Sequence, residues 1–410
     1  MGRRAELTMR LFMNSLSASA GGGLTYVRNV IPLLAAVPGL QVTVAVGPGL
    51  RDEFSRFDNL NFVELAMPSM RRFWYEQVSL PGLVRRSRAD ILVSIGNFAV
   101  RNSPVPQILL SRNSIYTSPD FYRDLRSRRE YRMWLDTRMR AVFARKSIDW
   151  ADVTVAPSEA FAAELRRWLG VSREENNNEG NSRGKKIRVI HHGFDREAFT
   201  RDSTPLAAEV EEKLRATGDS LKLLFVSHYN YYRNFETLIR ALPLLRNRCG
   251  GRKVKLLLTC KLTSGANPGE YRPETAAKLV RDLGVSDMVV ELGAIRYNQL
   301  HHLYRRGDIY VSPAYTETFA HPLLEAMASG LPVVASDLPV HREICEAAAL
   351  YFSCFSADEL AGRVAEIALS ADKARRLSDC GLIRSAEFSW KKHVDGLLLL
   401  AESLLAKRAS

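Results

Sequence analysis

The sequence of 410 residues has no long hydrophobic run and no closely paired cysteines. None of its apolar stretches approaches the roughly 18 residues that span a bilayer, and its first residues, MGRRAELTMRLFMNS, are charged where a signal peptide is apolar. The five cysteines are scattered along the second half of the chain, at Cys249, Cys260, Cys345, Cys354 and Cys380. We therefore expect neither a membrane-spanning protein nor a disulfide framework or zinc site, and a reducing cytoplasm fits best.

The overall composition is that of a globular protein with an excess of positive charge. Apolar residues make up 46% and charged residues 25% of the chain, so folding by burial is expected. The length suggests two or three domains. The formal charge of +13 and the pI of about 9.6 predict a surface that attracts anions. Nucleotide phosphates, anionic lipid head groups and nucleic acid are the candidates.

Short aliphatic runs alternate with helical patterns along the whole chain. A first series runs through LTMRLFM, QVTVAV, NFVELA, DILVSI, PQILLS and DVTVAPS, and a second through LKLLFVS, VKLLLTC, MVVELG, DIYVSP and PVVAS. Amphipathic stretches such as LTYVRNVIPLLAAV separate these runs. This pattern predicts the α/β class, with parallel sheets covered by helices.

The domain boundaries follow from this alternation. We place an N-terminal domain at residues 1–195 and a C-terminal domain at 196–390. A stretch without apolar side chains near residues 172–186, SREENNNEGNSRGKK, is predicted to be a polar insertion in the first domain. Residues 391–410 have apolar positions at helical spacing and are predicted to form a terminal helix that packs back toward the N-terminal domain.

Three glycines follow the first predicted strand, at positions 21–23. Without a Cβ atom, Gly22 and Gly23 would let backbone N–H groups approach a phosphate at the start of a helix. A complete G-x-G-x-x-G dinucleotide fingerprint is absent, so a flexible connection is an equal alternative.

A second cluster is FVSHYNYYRNFETLIRAL, residues 225–242, where a predicted strand ends and a helix begins. His228 and Arg233 fall in the connecting loop, at the strand's carboxyl end, where doubly wound sheets bind ligands. Arg233 is suited to an anion, and a phosphate beside His228 would favour its charged form. Alternatively, Arg233 only solvates the turn.

The segment ETFAHPLLE, residues 317–325, has two glutamates around a predicted helix start. We predict a strand at 308–312, a loop at 313–321 and a helix at 322–329. Glu317 then lies in the loop and Glu325 one turn into the helix, whose N-terminal amides can receive an anionic or hydroxyl-rich ligand. From residue type alone, a glycosidase-like carboxylate pair and two solvated charges both stay open.

Residues 121–148 carry nine arginines or lysines against three acids, interleaved with aromatic and aliphatic residues. A basic helix with an apolar stripe is typical of an anionic membrane surface. The charged outer face of an ordinary domain helix would have the same composition. Nucleic-acid binding is less favoured, since no recognised nucleic-acid motif accompanies the charge.

Taken together in their order along the chain, these segments resemble a known enzyme family. PAYTETFAHPLLEAMASGLPVVASD, with FVSHYNYYRNFETLIRAL, RVIHHGFD and the early GGG, is similar to the retaining glycosyltransferases of family 4, also called glycosyl transferases group 1. The resemblance covers nearly the whole chain. It implies the GT-B fold, in which two Rossmann-like domains have parallel sheets that face across an inter-domain cleft. The first domain would be the acceptor side and the second would bind the nucleotide sugar.

The resemblance implies roles for individual residues. Glu317 matches the family's glutamate near the donor sugar and reacting centre, and Glu325 the one that hydrogen-bonds the ribose. Arg233 and His228 stand where the family has a lysine and an arginine that neutralise the diphosphate, so we expect Glu317, Arg233 and His228 as catalytic residues.

The donor and acceptor sites can be assigned in the same way. The expected donor-binding residues are Gly22, Gly23, Ile295, Arg296, Thr318, Phe319, Ala320, His321, Leu323 and Glu325. The expected acceptor-side residues are Asn97, Arg112 and Asn113, and the last two stand where many members have a catalytic-region histidine. No metal site and no cofactor are expected, because cations and helix-end amides would stabilise the leaving diphosphate.

The chain departs from the family's pattern in the loop before the helix. Thr318 and Ala320 stand where many members have glycine, and Ala314 where many have serine. We therefore expect this loop to keep a backbone conformation that tolerates Cβ atoms.

These observations predict a hexosyltransferase that moves a sugar from a nucleotide-diphosphate sugar to a glycan or lipid-linked acceptor in polysaccharide, lipopolysaccharide or glycolipid synthesis. A sugar-nucleotide epimerase or hydrolase on the same fold and a non-catalytic nucleotide-binding scaffold stay as alternatives. We expect a cytoplasmic protein, peripheral at the inner face of the plasma membrane through residues 121–148, with no nucleic-acid partner.

Overall fold

A computed structural model describes residues 9–18, 21–171, 186–269 and 271–409 of the chain. Nearly all of the predicted polar insertion at 172–186 lies outside these described residues. The chain forms two compact α/β units. The first consists of Met1–Thr117, Tyr131–Gly193 and Ser389–Ser410, and the second of Ser118–Glu130 and Phe194–Phe388.

The first unit contains a parallel sheet of seven described strands in the order β3-β2-β1-β4-β5-β6-β7. Its strands are β1 (Met9–Asn14), β2 (Leu40–Val46), β3 (Leu60–Glu64), β4 (Ile91–Ser94), β5 (Gln107–Leu110), β6 (Val153–Ala156) and β7 (Ile187–Val189). The central strands β4, β5 and β6 are buried along their whole length, which explains their continuous aliphatic sequences.

The second unit contains a parallel sheet of six described strands in the order β10-β9-β8-β11-β12-β13. Its strands are β8 (Leu221–Phe225), β9 (Val254–Leu258), β10 (Val289–Glu291), β11 (Ile309–Ser312), β12 (Val333–Ser336) and β13 (Ala349–Phe352). In each sheet the first strand, β1 or β8, has the next two strands of the chain on one side and all later strands on the other. Such a reversal of strand order marks the edge where α/β sheets bind ligands.

Helices connect the strands of both sheets. In chain order the described α-helices are α1 (Gly21–Ala35), α2 (Ser69–Val78), α3 (Leu80–Arg86), α4 (Pro119–Ser127), α5 (Tyr131–Trp150), α6 (Glu159–Leu169), α7 (Arg196–Thr200), α8 (Ala208–Arg215), α9 (Phe235–Arg248), α10 (Glu274–Asp282), α11 (Leu300–Tyr304), α12 (His321–Ala328), α13 (Pro339–Cys345), α14 (Ala357–Ala368), α15 (Ala371–Ser385) and α16 (Trp390–Ala409). None of these described helices is both long enough and apolar enough to cross a bilayer.

The terminal helix α16 packs in the first unit, against α1 and the sheet. Trp390, Val394 and Leu397 join the core formed by α1 and strands β1 and β2. The hydroxyl of Tyr26 on α1 lies 2.9 Å from Nε2 of His393, whose Nδ1 lies 2.9 Å from the carbonyl oxygen of His191. Burial lowers the pKa of His393 to about 4, so this imidazole is neutral and completes the polar contact inside an apolar core.

The basic segment 121–148 differs from its prediction as one helix of the N-terminal domain. It forms two helices, α4 and α5, with Arg129 between them at a φ of +58°. Helix α4 belongs to the second unit because its side chains bond there: the hydroxyl of Tyr315 donates to Asp124 at 2.8 Å, and Arg128 donates to Glu236 at 2.8 Å. Helix α5 belongs to the first unit.

Candidate functional site

Two loops are joined at the carboxyl edge of the second sheet, one after β8 and one after β11. These strands are neighbours, so their ends lie at the same edge. The side-chain amide of Asn234 donates to the carbonyl oxygen of Pro313 at 3.0 Å, and the backbone N–H of Tyr315 donates to the carbonyl oxygen of Tyr232 at 3.0 Å. Asn234 itself has a φ of +56°, a conformation that asparagine tolerates better than most residues. The two predicted segments, residues 225–242 and 317–325, thus form one structural site.

Arg233 and Glu317 form an ion pair where these loops meet. Their side chains are 19% and 10% exposed, so the pair is largely shielded from solvent. The backbone N–H of Thr318 also donates to Glu317, at 3.3 Å. Within the described part of the chain, Nε of Arg233 is buried without a hydrogen-bond partner. Arg233 therefore has donor capacity that an anionic ligand could use.

His228 lies in the same loop as Arg233 and is exposed. Its pKa is lowered, first by partial burial of the ring and then by the positive charge of Arg233. The imidazole is therefore neutral near pH 7 in this structure, whereas the sequence predicts a charged form beside a phosphate.

Glu325 lies in α12 and is only 4% exposed. Its Oε2 accepts a hydrogen bond of 2.7 Å from the hydroxyl of Tyr304. Burial raises the pKa of Glu325 to about 7, and the bond from Tyr304 opposes this only in part. Glu317 and Glu325 thus have different partners and different surroundings, which does not fit two equivalent solvated charges.

The turn before α12 has a strained backbone. Ala320 has a φ of +61°, in the left-handed region that favours glycine and costs an alanine about 1 kcal/mol. The expectation that this loop avoids such a conformation is therefore wrong. Phe319 beside it is buried against Phe388, with ring centroids 5.6 Å apart. The turn presents the first amides of α12, which start at His321, and Leu323 lies within the same buried turn.

Ile295 and Arg296 follow β10, at the outer side of the second sheet. Ile295 is partly buried and Arg296 is exposed. Strands β9 and β8 separate β10 from β11, so these two residues lie along the same edge but away from the Arg233–Glu317 pair. This spacing suits a ligand that extends along the edge.

Sequence reasoning missed three residues that support this site: Asn234, Tyr304 and His341. Tyr304 is buried beneath Glu325. His341 is fully buried, and its Nδ1 lies 2.9 Å from the carbonyl oxygen of Ser336. The pKa of His341 is lowered to about 4, chiefly by burial. The family resemblance does not single these residues out, and only the folded chain brings them to their partners.

The carboxyl edge of the first sheet brings together Gly22, Asn97 and Arg112. The backbone N–H of Arg112 donates to the side-chain oxygen of Asn97 at 2.6 Å. The guanidinium donates to the carbonyl oxygens of Ile95 at 2.9 Å and Gly22 at 3.4 Å, and it lies over the ring of Tyr26 at 4.8 Å. Burial lowers the pKa of Arg112 to about 10, so it stays a cation at neutral pH.

The three glycines form the first turn of α1 rather than a loop before it. A Cβ atom at Gly23 would lie 3.3 Å from the Cα of Ala18, whereas one at Gly22 would meet nothing within 4 Å. Gly23 therefore permits a close approach to Ala18, and Gly22 leaves open space at the helix start. Asn113 has a local function, since its side chain accepts from the backbone N–H of Ile115 at 3.3 Å and caps a 3-10 turn at Ser114–Tyr116.

A buried carboxylate that the sequence did not indicate lies at the end of β1. Glu76 of α2 is 6% exposed and accepts a hydrogen bond of 3.2 Å from the side-chain amide of Asn14, the last residue of β1. Burial raises the pKa of Glu76 to about 7, while the charge of Arg72 and the bond from Asn14 act in the opposite direction. This edge of the first sheet therefore has a titratable group with a pKa near neutrality.

Replacing Glu76 with glutamine is expected to remove part of the pH dependence of stability. A folded pKa of about 7, above the ordinary 4.5, means that the folded state holds a proton that the unfolded state loses. The stabilisation is complete below about pH 4.5 and is lost as the pH rises through 7, and the difference corresponds to about 3 kcal/mol. Urea denaturation should show that the difference in unfolding free energy between Glu76→Gln and the parent shifts in favour of the variant from pH 5 to pH 8. Identical pH profiles of variant and parent would contradict this account.

Across the residues that the structure describes, no group of three or more histidine, cysteine, aspartate or glutamate side chains is arranged to hold a metal ion. The charged groups at the second sheet's edge are instead Arg233 and the carboxylate of Glu317.

Comparison with known proteins identifies the family of this chain. The family "Glycosyl transferases group 1" matches residues 207–381, and "Glycosyltransferase Family 4" matches residues 20–198. The D-inositol 3-phosphate glycosyltransferase of Mycolicibacterium smegmatis is 29% identical over 263 residues, which are 63% of this chain and 55% of that protein. The enzyme of the same name from Corynebacterium aurimucosum is 26% identical over 260 residues, 62% of this chain and 58% of its own length. The chain therefore spans little more than half the length of these curated relatives.

Solved structures share the fold. Sucrose-phosphate synthase from Thermosynechococcus elongatus has a TM-score of 0.73 at 20% identity and covers 97% of this chain and 100% of its own. Anabaena HepE in complex with UDP-glucose has a TM-score of 0.69 at 15% identity, over 96% and 100% of the two chains. At these identities the likeness shows the fold alone, and it is the predicted GT-B fold. The two family matches show that the chain belongs to the group 1 glycosyltransferases.

Proposed function

We propose that this protein is a retaining glycosyltransferase that moves a sugar from a nucleotide-diphosphate sugar to an acceptor hydroxyl. The observation that carries the proposal is the ion pair of Arg233 and Glu317 at the joined loops, beside the first turn of α12. A cation, a carboxylate and helix-end amides lie at one sheet edge, which is the set of groups that a nucleotide sugar requires. Family membership supports this, and so does a structural neighbour solved with UDP-glucose.

The groups at this sheet edge have different roles in the reaction. As the bond between sugar and diphosphate breaks, negative charge grows on the leaving phosphate. Arg233 and the first amides of α12 stabilise that charge in place of a metal ion. Glu317 lies next to Arg233 and stabilises the positive charge that develops on the sugar. Glu325 accepts a hydrogen bond from a ribose hydroxyl of the donor.

Retention follows from attack on the face from which the leaving group departs. The acceptor oxygen forms its bond to the anomeric carbon as the bond to the diphosphate oxygen breaks. The acceptor's proton passes to an oxygen of the leaving phosphate, so no side chain needs to act as the base. This route suits a site whose carboxylate, Glu317, is already engaged by a cation.

The acceptor is a glycan or a lipid-linked saccharide of a polysaccharide, lipopolysaccharide or glycolipid pathway, reached at the inner face of the plasma membrane. Arg112 and Asn97 form the acceptor-side edge of the first unit, next to Gly22 of the expected donor site. Arg112 stays cationic there, which favours an acceptor with a negatively charged group. WaaG, a solved structure that shares the fold, is described as a glycosyltransferase involved in lipopolysaccharide biosynthesis.

Thermal denaturation with a panel of nucleoside diphosphates and nucleotide sugars tests the proposal. A bound donor at about a hundred times its dissociation constant adds about 2.7 kcal/mol and raises the melting temperature by several degrees. We expect one base to be preferred, with the shift unchanged by EDTA. Product analysis with the stabilising donor then separates transfer from hydrolysis or epimerisation. No shift with any diphosphate, or equal shifts with inorganic pyrophosphate and nucleotides, would overturn it.

A further inference from the structure

Helix α5 exposes a row of large apolar side chains to solvent. Tyr131, Leu135, Met139 and Val142 are 63%, 55%, 51% and 55% exposed. Their spacing of four, four and three residues places them on one face of the helix. The residues that α5 buries against the first unit are Thr137, Ala141, Ala144, Ser147 and Ile148. The helix thus packs against the first unit with one face and exposes apolar side chains to solvent on another.

Helix α2 extends this apolar surface. Trp74 and Val78 are 64% and 74% exposed and lie four residues apart, on one face of α2. The two helices touch through the rings of Phe73 and Phe143, whose centroids are 5.1 Å apart. We define the α2–α5 face as Trp74, Val78, Tyr131, Leu135, Met139 and Val142.

This concentration of exposed apolar residues is unusual for a protein surface. Among the described residues, twelve large hydrophobic side chains are exposed, and seven of them lie on α2 and α5. Scattered single residues of this kind need no explanation, but a contiguous cluster marks an interaction site. Trp74 and Tyr131 are also the side-chain types that concentrate at membrane interfaces.

The charges around the α2–α5 face are mainly positive. Its exposed basic residues are Arg71, Arg132, Arg138, Arg140, Arg145 and Lys146. Asp136 pairs with Arg140 at 2.8 Å. The other acid of α5, Asp149, is partly buried. The single acid of α2, Glu76, is buried. An apolar centre with a cationic rim therefore points outward from the first unit.

We propose that the α2–α5 face docks on the surface of a bilayer that contains anionic phospholipid. The apolar side chains enter the boundary between head groups and acyl chains, while the surrounding cations bind the head groups. A second copy of this chain fits less well, because a symmetric contact would bring two cationic rims together. This docking rests on the proposed function only for its purpose, which is to bring the enzyme to a lipid-linked acceptor.

The basic residues around the α2–α5 face differ from those of the predicted membrane-binding segment, 121–148. Of the predicted segment 121–148, only α5 contributes to the α2–α5 face, since α4 belongs to the second unit. Arg128 of that segment is bonded to Asp124 and Glu236, and its side chain is 18% exposed. Conversely, Trp74 and Val78 lie outside the segment and could not be found from its composition.

Vesicle flotation with the full chain and no sugar donor tests the docking. The probes are vesicles of phosphatidylcholine alone and of phosphatidylcholine mixed with phosphatidylglycerol. We expect binding to the mixed vesicles only, weakened by high salt. Arg132→Gln with Arg138→Gln should weaken it about twenty-five-fold, at roughly fivefold for each cation removed. Trp74→Ser with Leu135→Ser should weaken binding at least tenfold.

Matched controls come from exposed residues elsewhere on the surface. Leu369→Ser with Ile383→Ser removes two side chains that are 63% and 70% exposed, and it should leave vesicle binding unchanged. Binding that ignores lipid charge, or equal losses in the control and the Trp74 pair, would overturn the docking. So would concentration-dependent dimers that the Trp74 pair abolishes, with no vesicle binding. Donor-induced thermal shifts of the same variants show separately whether the nucleotide site is intact.

Discussion

Replacing Glu317 with alanine is expected to lower the rate of sugar transfer by about a thousandfold, the scale of losing one electrostatic group at a reacting centre. Nucleotide binding should survive this change. In the parent chain, Glu317 engages Arg233, so a diphosphate must compete with the carboxylate for the cation. Without the carboxylate, Arg233 is free to bind the diphosphate. We therefore expect the dissociation constant of the nucleoside diphosphate to stay the same or fall.

The matched comparison is Glu325→Ala, which changes the other glutamate of the same segment. Its loss removes the acceptor for a ribose hydroxyl and leaves the buried hydroxyl of Tyr304 with only the longer contact, 3.4 Å, to the carbonyl oxygen of Pro322. We expect nucleotide binding to weaken about tenfold to a hundredfold, by 1.4 to 3 kcal/mol. Calorimetric binding of the nucleoside diphosphate and a single-turnover transfer or donor-hydrolysis assay measure the two effects. Equal activity in both variants would contradict the division of roles.

Much of the fold could be predicted from the sequence because its signals are local. Buried parallel strands read as aliphatic runs, as in β4 and β11, and the helices between them show their own periodicity. The loops after β8 and β11 were also recognisable, since polar residues follow each strand directly. Sheet adjacency then explains why Arg233 and Glu317, 84 residues apart, form a pair.

What could not be predicted depends on contacts between distant segments. Nothing in the composition of α4 distinguishes it from α5, yet its bonds to Tyr315 and Glu236 place it in the second unit. The buried carboxylate of Glu76 meets its hydrogen-bond donor, Asn14, across 62 residues of sequence. The positive φ of Ala320 is unusual for its residue type, and it occurs beside Phe319, which is packed against the distant Phe388. Such features concentrate at sites where function outweighs local stability.

Replacing Arg128 with alanine is expected to cause the largest loss of stability among these changes. Its guanidinium donates to Asp124 at 2.7 Å and to Glu236 at 2.8 Å, and it lies over the ring of Tyr231 at 4.3 Å. The three side chains that form these ion pairs are each less than a fifth exposed. Removing the cation leaves two carboxylates shielded from water without a counter-charge, which costs about 3 kcal/mol. Urea denaturation should therefore show an earlier transition of the second unit.

The control for Arg128 lies on the same helix. Arg123 pairs with Asp120 at 2.7 Å, but its side chain is 72% exposed, so Arg123→Ala should cost less than about 0.5 kcal/mol. The two variants differ further in function. Asp124 accepts from Tyr315 in the loop before Glu317, and Glu236 accepts from Tyr229 in the loop before Arg233. Arg128→Ala should therefore also weaken nucleotide binding, and similar losses in both variants would show that α4 does not support the donor loops.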